Sequence, residues 1–550
     1  MVKVRDIKSN LNMWTILSLL ATLLILTPNL NIILNLFTPA NENWQHIKTY
    51  LLSDYIANTI TLIIFTGILS IGIGTSLAWL ISLYDFPFRK FFKWGLILPL
   101  AIPPYIAAYT YNGILNYTGV LQTFLRNSLE IRVNPKYFDI MSINGAIFIF
   151  TLVLFPYVYT ITQSFMEKQA SSLIENARLL GRNSFEIFLS ILLPLSRTAI
   201  IGGASLVILE VLNDYGVVSY FGIPTFSTAI FSTWFAMSDL DSAIKLASSL
   251  MLLVFFILAM EKLLRGKKRF SFSSSKIRPI SLRKLKGVKA ALAFSYCLLI
   301  FGLGFLVPAI QLAAWAMLTY SKVLNPSFAE IITTSVLVAL TTAALIIIIA
   351  LVIANYSRIT EGFLGKLYAK ITVIGYSIPG AVIAIGVLVF FIGLDNSLYW
   401  FYNLINEQTS RLVLSSSVAM LIFAYIIRFI AIGFNSVDSG FDKIGKKFFE
   451  ASRTLGMSVT QTFVKVDLIM LKPALLSGFI LVFVDVLKEL PLTLILRPFN
   501  FNTLATKAYQ YANDEMIHEA AIPSLIIILI STLSIYFFQK VLNKEELSKN

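Results

Sequence analysis

Five ionisable residues sit where a mostly apolar chain should carry none. Glu210 and Asp214 fall inside one hydrophobic run, and Asp485, Lys488 and Glu489 inside another. A charge at the centre of a membrane helix costs about 2.5 to 3.5 kcal/mol on insertion scales, so such residues face a cavity or a partner. In each run the two acids are four residues apart, which would put them on one helical face. Four carboxylates around a central axis would supply oxygen ligands for a hard cation, or a relay for protons. A tight cage would trap a cation in transit, so the expected contact is loose, hydrated and sequential, with no stable metal site. Lys488 is also placed to neutralise Asp485 or Glu489. Arg428 and Lys245, in neighbouring runs, are further candidate partners, unless their stems carry the charge to an interface.

The elements that must position these residues follow from composition. Of 550 residues 57% are hydrophobic and 13% charged, against about 25% charged in soluble domains. Mean hydropathy is +0.78. Runs of about 20 apolar residues, enough to cross a bilayer, recur near 13–37, 56–84, 92–113, 143–166, 198–222, 240–262, 289–319, 329–355, 369–394, 412–435, 473–497 and 516–540. The reading is an all-α membrane protein of twelve transmembrane helices, six in each half. The first run has no small-residue cleavage site after it and reads as a retained span, not a secretory signal. Pro103, Pro104 and Pro379 should kink the third and ninth spans.

Net charge is +15, which in a soluble protein would suggest nucleic acid. Here the charge sorts by loop. With both termini cytoplasmic, one side holds Lys3, Arg5, Lys8, Arg89, Lys90, Lys93, Lys168, Arg178, Arg182, Arg197, Arg358, Lys366 and Lys370. The other side has few, such as Lys48, Arg126, Arg132, Lys136, Lys322 and Arg411. The asymmetry obeys the positive-inside rule, so basicity reports topology and no nucleic-acid partner is expected. Cys297 is the single cysteine and reads as a small buried hydrophobe; His46 and His518 are too few for a histidine-built metal site.

The chain also repeats itself. A basic, serine-rich linker at 265–288 separates a first half, 1–264, from a second, 289–550. Adding 275 carries Glu175 to Glu450, Gly181 to Gly456, Glu210 to Asp485, Asp214 to Glu489, Phe226 to Phe501 and Thr228 to Thr503. An even number of spans per half makes this a parallel repeat. Two polar stretches, about 170–197 and 443–472, occupy equivalent cytoplasmic positions. Each reads as two short helices joined at a glycine, with Ser184 or Ser458 capping the second and the first copy's second helix ending before Pro194. Such an element suits docking into a groove on another protein.

The spacing of Glu175, Ala177, Gly181, Ile191, Leu193 and Pro194 resembles the EAA loop of binding-protein-dependent ATP-binding cassette importers. The second copy matches with Glu450, Ala451, Gly456, Val466 and Leu468, but has Ser452 and Ile469 at the second alanine and the proline. The stretches "LPLAIPPYIAAY", "NDYGVVSYFGIPTFSTAIFSTWF" and "DVLKELPLTLILRPFNFNTLATKAYQYANDE" look like the fused-dimer permeases of ferric-iron importers. The resemblance implies a type I importer permease fold in a bacterial inner membrane. It implies two copies of a cytoplasmic ATPase subunit seated on the EAA loops, and a periplasmic ferric-iron-binding protein. Fused permeases for thiamine and some phosphonates share this architecture and leave the substrate open among them. No G-x-x-x-x-G-K-[ST] phosphate loop occurs, so ATP is expected to be used by the partner, with no cofactor and no catalytic residue in this chain. A proton-coupled transporter is the competing class; a membrane enzyme would need a reactive cluster that the runs do not contain.

Overall fold

In hydrocarbon every backbone N–H and C=O has to be satisfied within its own segment, so apolar runs of this length become helices. A computed structural model describes residues 13–35, 39, 41–131, 134–167, 171–265, 282–360, 362–406 and 411–547. Lys3, Arg5, Lys8, Arg132, Lys168 and most of the basic linker, 266–281, lie outside the described residues. Among the described residues ten helices are long and apolar enough to cross a membrane, and an eleventh position is a pair, Arg89–Ala101 and Pro104–Ser128, bent by 92°. The first run forms the Met13–Asn35 helix.

Four of the expected spans are broken, not continuous. The expected kink at Pro103 is a full break, with Pro103 extended (φ −56°, ψ 141°) before the Pro104–Leu115 helix. Pro379 adopts nearly the same conformation (φ −57°, ψ 144°) before the Gly380–Ile405 helix. The fifth span stops as the Leu193–Asn213 helix and resumes as Gly216–Tyr220. The eleventh stops as Leu468–Lys488 and resumes as Pro491–Leu496. Apolar composition alone could not reveal these interruptions, because each break consists of residues that also occur within spans.

Each half is built on the same three packed helices: Leu52–Leu83, Ile143–Glu167 and Leu193–Asn213 in the first, Pro326–Ile359, Val418–Ile444 and Leu468–Lys488 in the second. Without a hydrophobic drive between helices in lipid, close approach at small residues holds such trios together. A Cβ on Gly74 would lie 2.8 Å from the Val158 Cβ, and one on Gly203 2.6 Å from the Val158 Cα. In the second half Gly433 stands where the first has Val158 and receives Ile346, a Cβ on it falling 2.6 Å from the Ile346 Cγ2.

The halves interlock. Met13–Asn35 packs against Pro326–Ile359, Phe363–Ser377 and Gly380–Ile405 of the other half, and the Trp14 ring meets Phe463 edge-on at 4.8 Å. Reciprocally, Val288–Phe301 packs on Arg89–Gly95, and Cys297 is buried in a cluster with Phe92, Tyr159 and Ala177. Tyr84–Asp85 pairs in parallel with Arg283–Lys284, tying the end of the linker to the first half.

Candidate functional site

A cavity of about 90 Å³ lies where the four breaks converge, and Glu210, Asp214, Asp485, Lys488 and Glu489 all line it. Irregular backbone is tolerated at membrane depth where it borders a cavity, so the breaks and the cavity explain one another. Tyr105, Tyr157, Asn213, Tyr376 and Arg428 complete the polar lining.

The i, i+4 argument for one helical face does not hold. Asp214 and Glu489 lie just past their helices in extended backbone (ψ 133° and 122°). Each instead caps the short helix that follows: Asp214 Oδ1 accepts from the Val217 N–H at 2.8 Å, and Glu489 Oε1 from the Leu492 N–H at 3.3 Å. A carboxylate at a helix N-terminus satisfies an orphan donor and meets the positive end of the dipole. The remaining pair, Glu210 and Asp485, stays helical. Glu210 Oε1 accepts from the Tyr376 hydroxyl at 3.1 Å, whereas Asp485 is bound by Lys488 at 2.8 Å. The repeat-related acids therefore have unequal partners.

Arg428 serves a neighbour's backbone. Its Nη1 donates to the carbonyls of Ile378 at 2.5 Å and Tyr376 at 3.3 Å, the orphan acceptors exposed where the Phe363–Ser377 helix ends. Lys245 is buried elsewhere, 6.0 Å from the centre of the Trp44 ring. Asn213 Oδ1 receives the Gly380 N–H at 2.5 Å, stitching one half to the other. A Cβ on Gly380 would sit 2.9 Å from Glu489 Oε1, so glycine is needed at that approach. Sequence reasoning missed Asn213 and the tyrosines. Tyrosine in an apolar run reads as an interface anchor, and only the breaks turn these inward.

The two polar stretches form matching elements at the opposite end of the core helices. Ser171–Leu179 ends at Gly181 (φ +82°), and Lys447–Thr454 at Gly456 (φ +83°). In each the next N–H reaches back to close the helix, Arg182 to the Ala177 carbonyl and Met457 to that of Ser452, both at 3.1 Å. Asn183, not Ser184, caps the second helix of the first copy, in a box with Glu186; Ser458 does so in the second copy, with Gln461. Nor does that second helix stop at Pro194. Both copies pass through one wide π turn, Phe188–Leu192 and Phe463–Asp467, and continue into the core helix. The second copy lacks the proline, so the wide turn does not depend on it.

Glu175 and Glu450 are exposed, and so are Leu180 (83%) and Leu455 (80%) beside the glycines. Ala177 is buried, and its equivalent is Ser452; Ala451 is exposed. Further on the register slips by three. Thr225 and Thr228 form the capping box before Phe226–Phe235, and Thr503 and Thr506 form the one before Leu504–Asn513. Thr503 thus answers to Thr225, not Thr228, and the second half carries three extra residues after Glu489.

Gly456→Pro is expected to abolish transport while leaving the chain in the membrane. Proline cannot reach φ +83° and lacks the N–H that Gly456 donates to the Arg453 carbonyl, a loss of about 3 kcal/mol at that turn. Uptake and membrane content measured together check this, and wild-type uptake would refute it.

Comparison with known proteins agrees with the duplication. A sequence profile described as the inner membrane component of binding-protein-dependent transport systems matches residues 70–261 and again 346–546. An Fe(3+)-transport system permease protein of Haemophilus influenzae is 24% identical over 493 residues, 89% of this chain and 90% of that protein. A ferric transport system permease protein of Actinobacillus pleuropneumoniae is 22% identical over 90% of this chain and 72% of its own length. A spermidine/putrescine transport system permease protein of Haemophilus influenzae is 27% identical over 33% of this chain and 63% of its own length. Matched once in each half, over most of its length, the chain belongs to the family of binding-protein-dependent transport system inner membrane components.

Proposed function

We propose that this permease carries ferric iron, delivered by a binding protein on the outer side, through the cavity between its halves into the cytoplasm. The observation that carries the reading is the cavity's charge: among the described residues that line it, four acids, Glu210, Asp214, Asp485 and Glu489, stand against two cations, Lys488 and Arg428, a lining suited to a hard cation. It favours iron over an anionic phosphonate. At about 90 Å³ the space suits a small ion with a few waters and is well below the roughly 300 Å³ or more of organic-ligand pockets, which speaks against thiamine.

Both termini lie in the cytoplasm in this reading, so the two polar elements face a pair of ATPase subunits. The exposed Leu180 and Leu455, with Glu175, Gly181, Glu450 and Gly456 around them, form the docking surfaces. Ala177, Ala451 and Pro194 shape those elements. ATP bound by the partner draws the elements together, and the continuous helices from each wide turn to the acid breaks carry that motion to the cavity. Cargo displaces Lys488 from Asp485 and Tyr376 from Glu210 as it passes. The chain itself holds no cofactor and no resident metal in this scheme.

The test is uptake of radiolabelled ferric iron by cells lacking the gene, supplied with wild type or with Glu210→Gln/Asp485→Asn. Restoration by wild type alone is expected. Equal restoration by both would make these acids structural, and none by either, with the native ATPase and binding protein present, would refute the iron reading.

A further inference from the structure

We propose that the phenol of Tyr105 is an iron ligand in transit, acting with Asp214 and Glu489; this rests on the ferric-iron reading above. Tyr105 is 4% exposed, yet its hydroxyl has no hydrogen-bond partner among the described residues, and the side chain lines the acid cavity. A buried phenol left unpaired costs about 1 to 3 kcal/mol; among the described residues Tyr509 has one too, but it does not line this cavity. Of the other two phenols on the cavity, Tyr376 is engaged with Glu210.

Gly216 shows what Tyr105 is close to. A Cβ on Gly216 would lie 2.5 Å from the Tyr105 Cβ and 3.0 Å from the Leu490 Cδ2. Gly216 is two residues past Asp214, and Leu490 is one past Glu489. The stem of Tyr105 therefore packs where the two repeat-related acid breaks meet, and the side chain lines the same cavity as Asp214 and Glu489. Among the described residues no three His, Cys, Asp or Glu side chains are placed to hold a metal ion. Carboxylates alone do not complete a site, and the further oxygen on this cavity wall without a partner is the Tyr105 phenol.

The chemistry selects the cargo. Phenolate is an anionic oxygen donor, hard enough to prefer a trivalent cation over softer divalent ones. On binding, the phenol O–H bond breaks, an oxygen–iron coordinate bond forms, and the proton passes to a cavity carboxylate; iron stays ferric throughout. When the ion leaves, the proton returns to the phenolate. Asp214 and Glu489 each commit an oxygen to a helix cap, so neither carboxylate gives both oxygens to the ion. Two shared ligands and one phenol make a hold weak enough to release.

Tyr105→Phe separates this role from a structural one, because deleting an unpaired buried hydroxyl should leave stability unchanged or raise it. In the complete transporter, ferric uptake by Tyr105→Phe is expected to fall at least about ten-fold, the scale seen when a metal-supporting group is lost. Tyr320→Phe, at a phenol 60% exposed and away from the cavity, serves as the comparison and should keep most uptake. Purified permease titrated with ferric citrate should develop a visible phenolate-to-iron absorption in wild type and in Tyr320→Phe but not in Tyr105→Phe. Wild-type uptake by Tyr105→Phe, or an absorption that survives in it, would overturn the proposal with the iron reading intact. Failure of the wild type to import iron would overturn both.

Discussion

Asp467→Ala is expected to destabilise the permease by about 3 to 5 kcal/mol, because it strands a buried arginine. Arg358 binds Asp467 through two bonds, Nη1 to Oδ1 at 3.1 Å and Nη2 to Oδ2 at 2.5 Å, and the Asp467 side chain is fully buried. The guanidinium also lies over Phe441 at 4.1 Å and Phe449 at 5.0 Å, which leaves it little access to water once the carboxylate is gone. Asp467 closes the wide turn after the second polar element, so this pair fixes that element to the Pro326–Ile359 helix. The first half supplies the control. Subtracting 275 turns Arg358 into Leu83 and Asp467 into Leu192, both buried in one apolar cluster. Replacing a buried ion pair by packed apolar residues is often neutral or stabilising. Arg358→Leu/Asp467→Leu should therefore recover the stability that either single change loses. Thermal unfolding of the purified variants in detergent decides it, and a double variant no better than the singles would refute the argument.

Gly203→Ala and Gly74→Ala should each cost about 1 to 3 kcal/mol or more through overpacking, although alanine is the better helix former. The added methyl at 203 would meet the Val158 Cα at 2.6 Å and the Tyr157 carbonyl oxygen at 3.1 Å; at 74 it would meet the Tyr159 nitrogen at 2.9 Å. Backbone atoms cannot step aside as a side-chain tip can, so the helices themselves must part. Gly72, two residues away on the same helix, has nothing within 4 Å. Gly72→Ala should gain up to about 1 kcal/mol from helix propensity. The yield of monodisperse protein from the three variants gives the comparison, and equal yields would show that the glycines are not packing contacts.

Hydropathy located the membrane-length helices because lipid leaves a segment of that length few alternatives, though it passed over the shorter helices Val120–Ser128, Phe226–Phe235 and Leu504–Asn513 between them; the repeat paired the acids because duplication preserves spacing. What periodicity could not supply was continuity. The runs at 198–222 and 473–497 read as single helices, yet each ends at an acid and restarts two residues beyond it. The spacing of Glu210 and Asp214 therefore suggested a shared face where the backbone makes a corner. Asn183 lost to Ser184 as the expected cap because both are good caps, and only the partner three residues on, Glu186, selects between them. The three-residue slip before Thr503 was hidden because Phe501 and Thr503 coincide with Phe226 and Thr228 at the uniform offset. Tyr105 was invisible for a simpler reason: a phenol's lack of a partner is a property of space, not of sequence.

The crossing of each leading helix onto the opposite half sets an order of assembly during synthesis. Met13–Asn35 is made well before the surfaces it packs against, which begin at Pro326. At about 5 to 20 residues per second of translation, it waits tens of seconds in the bilayer before its seat exists. Its apolar flanks are at home in lipid for that interval, whereas Trp14, whose indole N–H binds Thr460 at 3.2 Å in the finished protein, is settled only once Thr460 has been made. The second half thus completes a joint that this helix began.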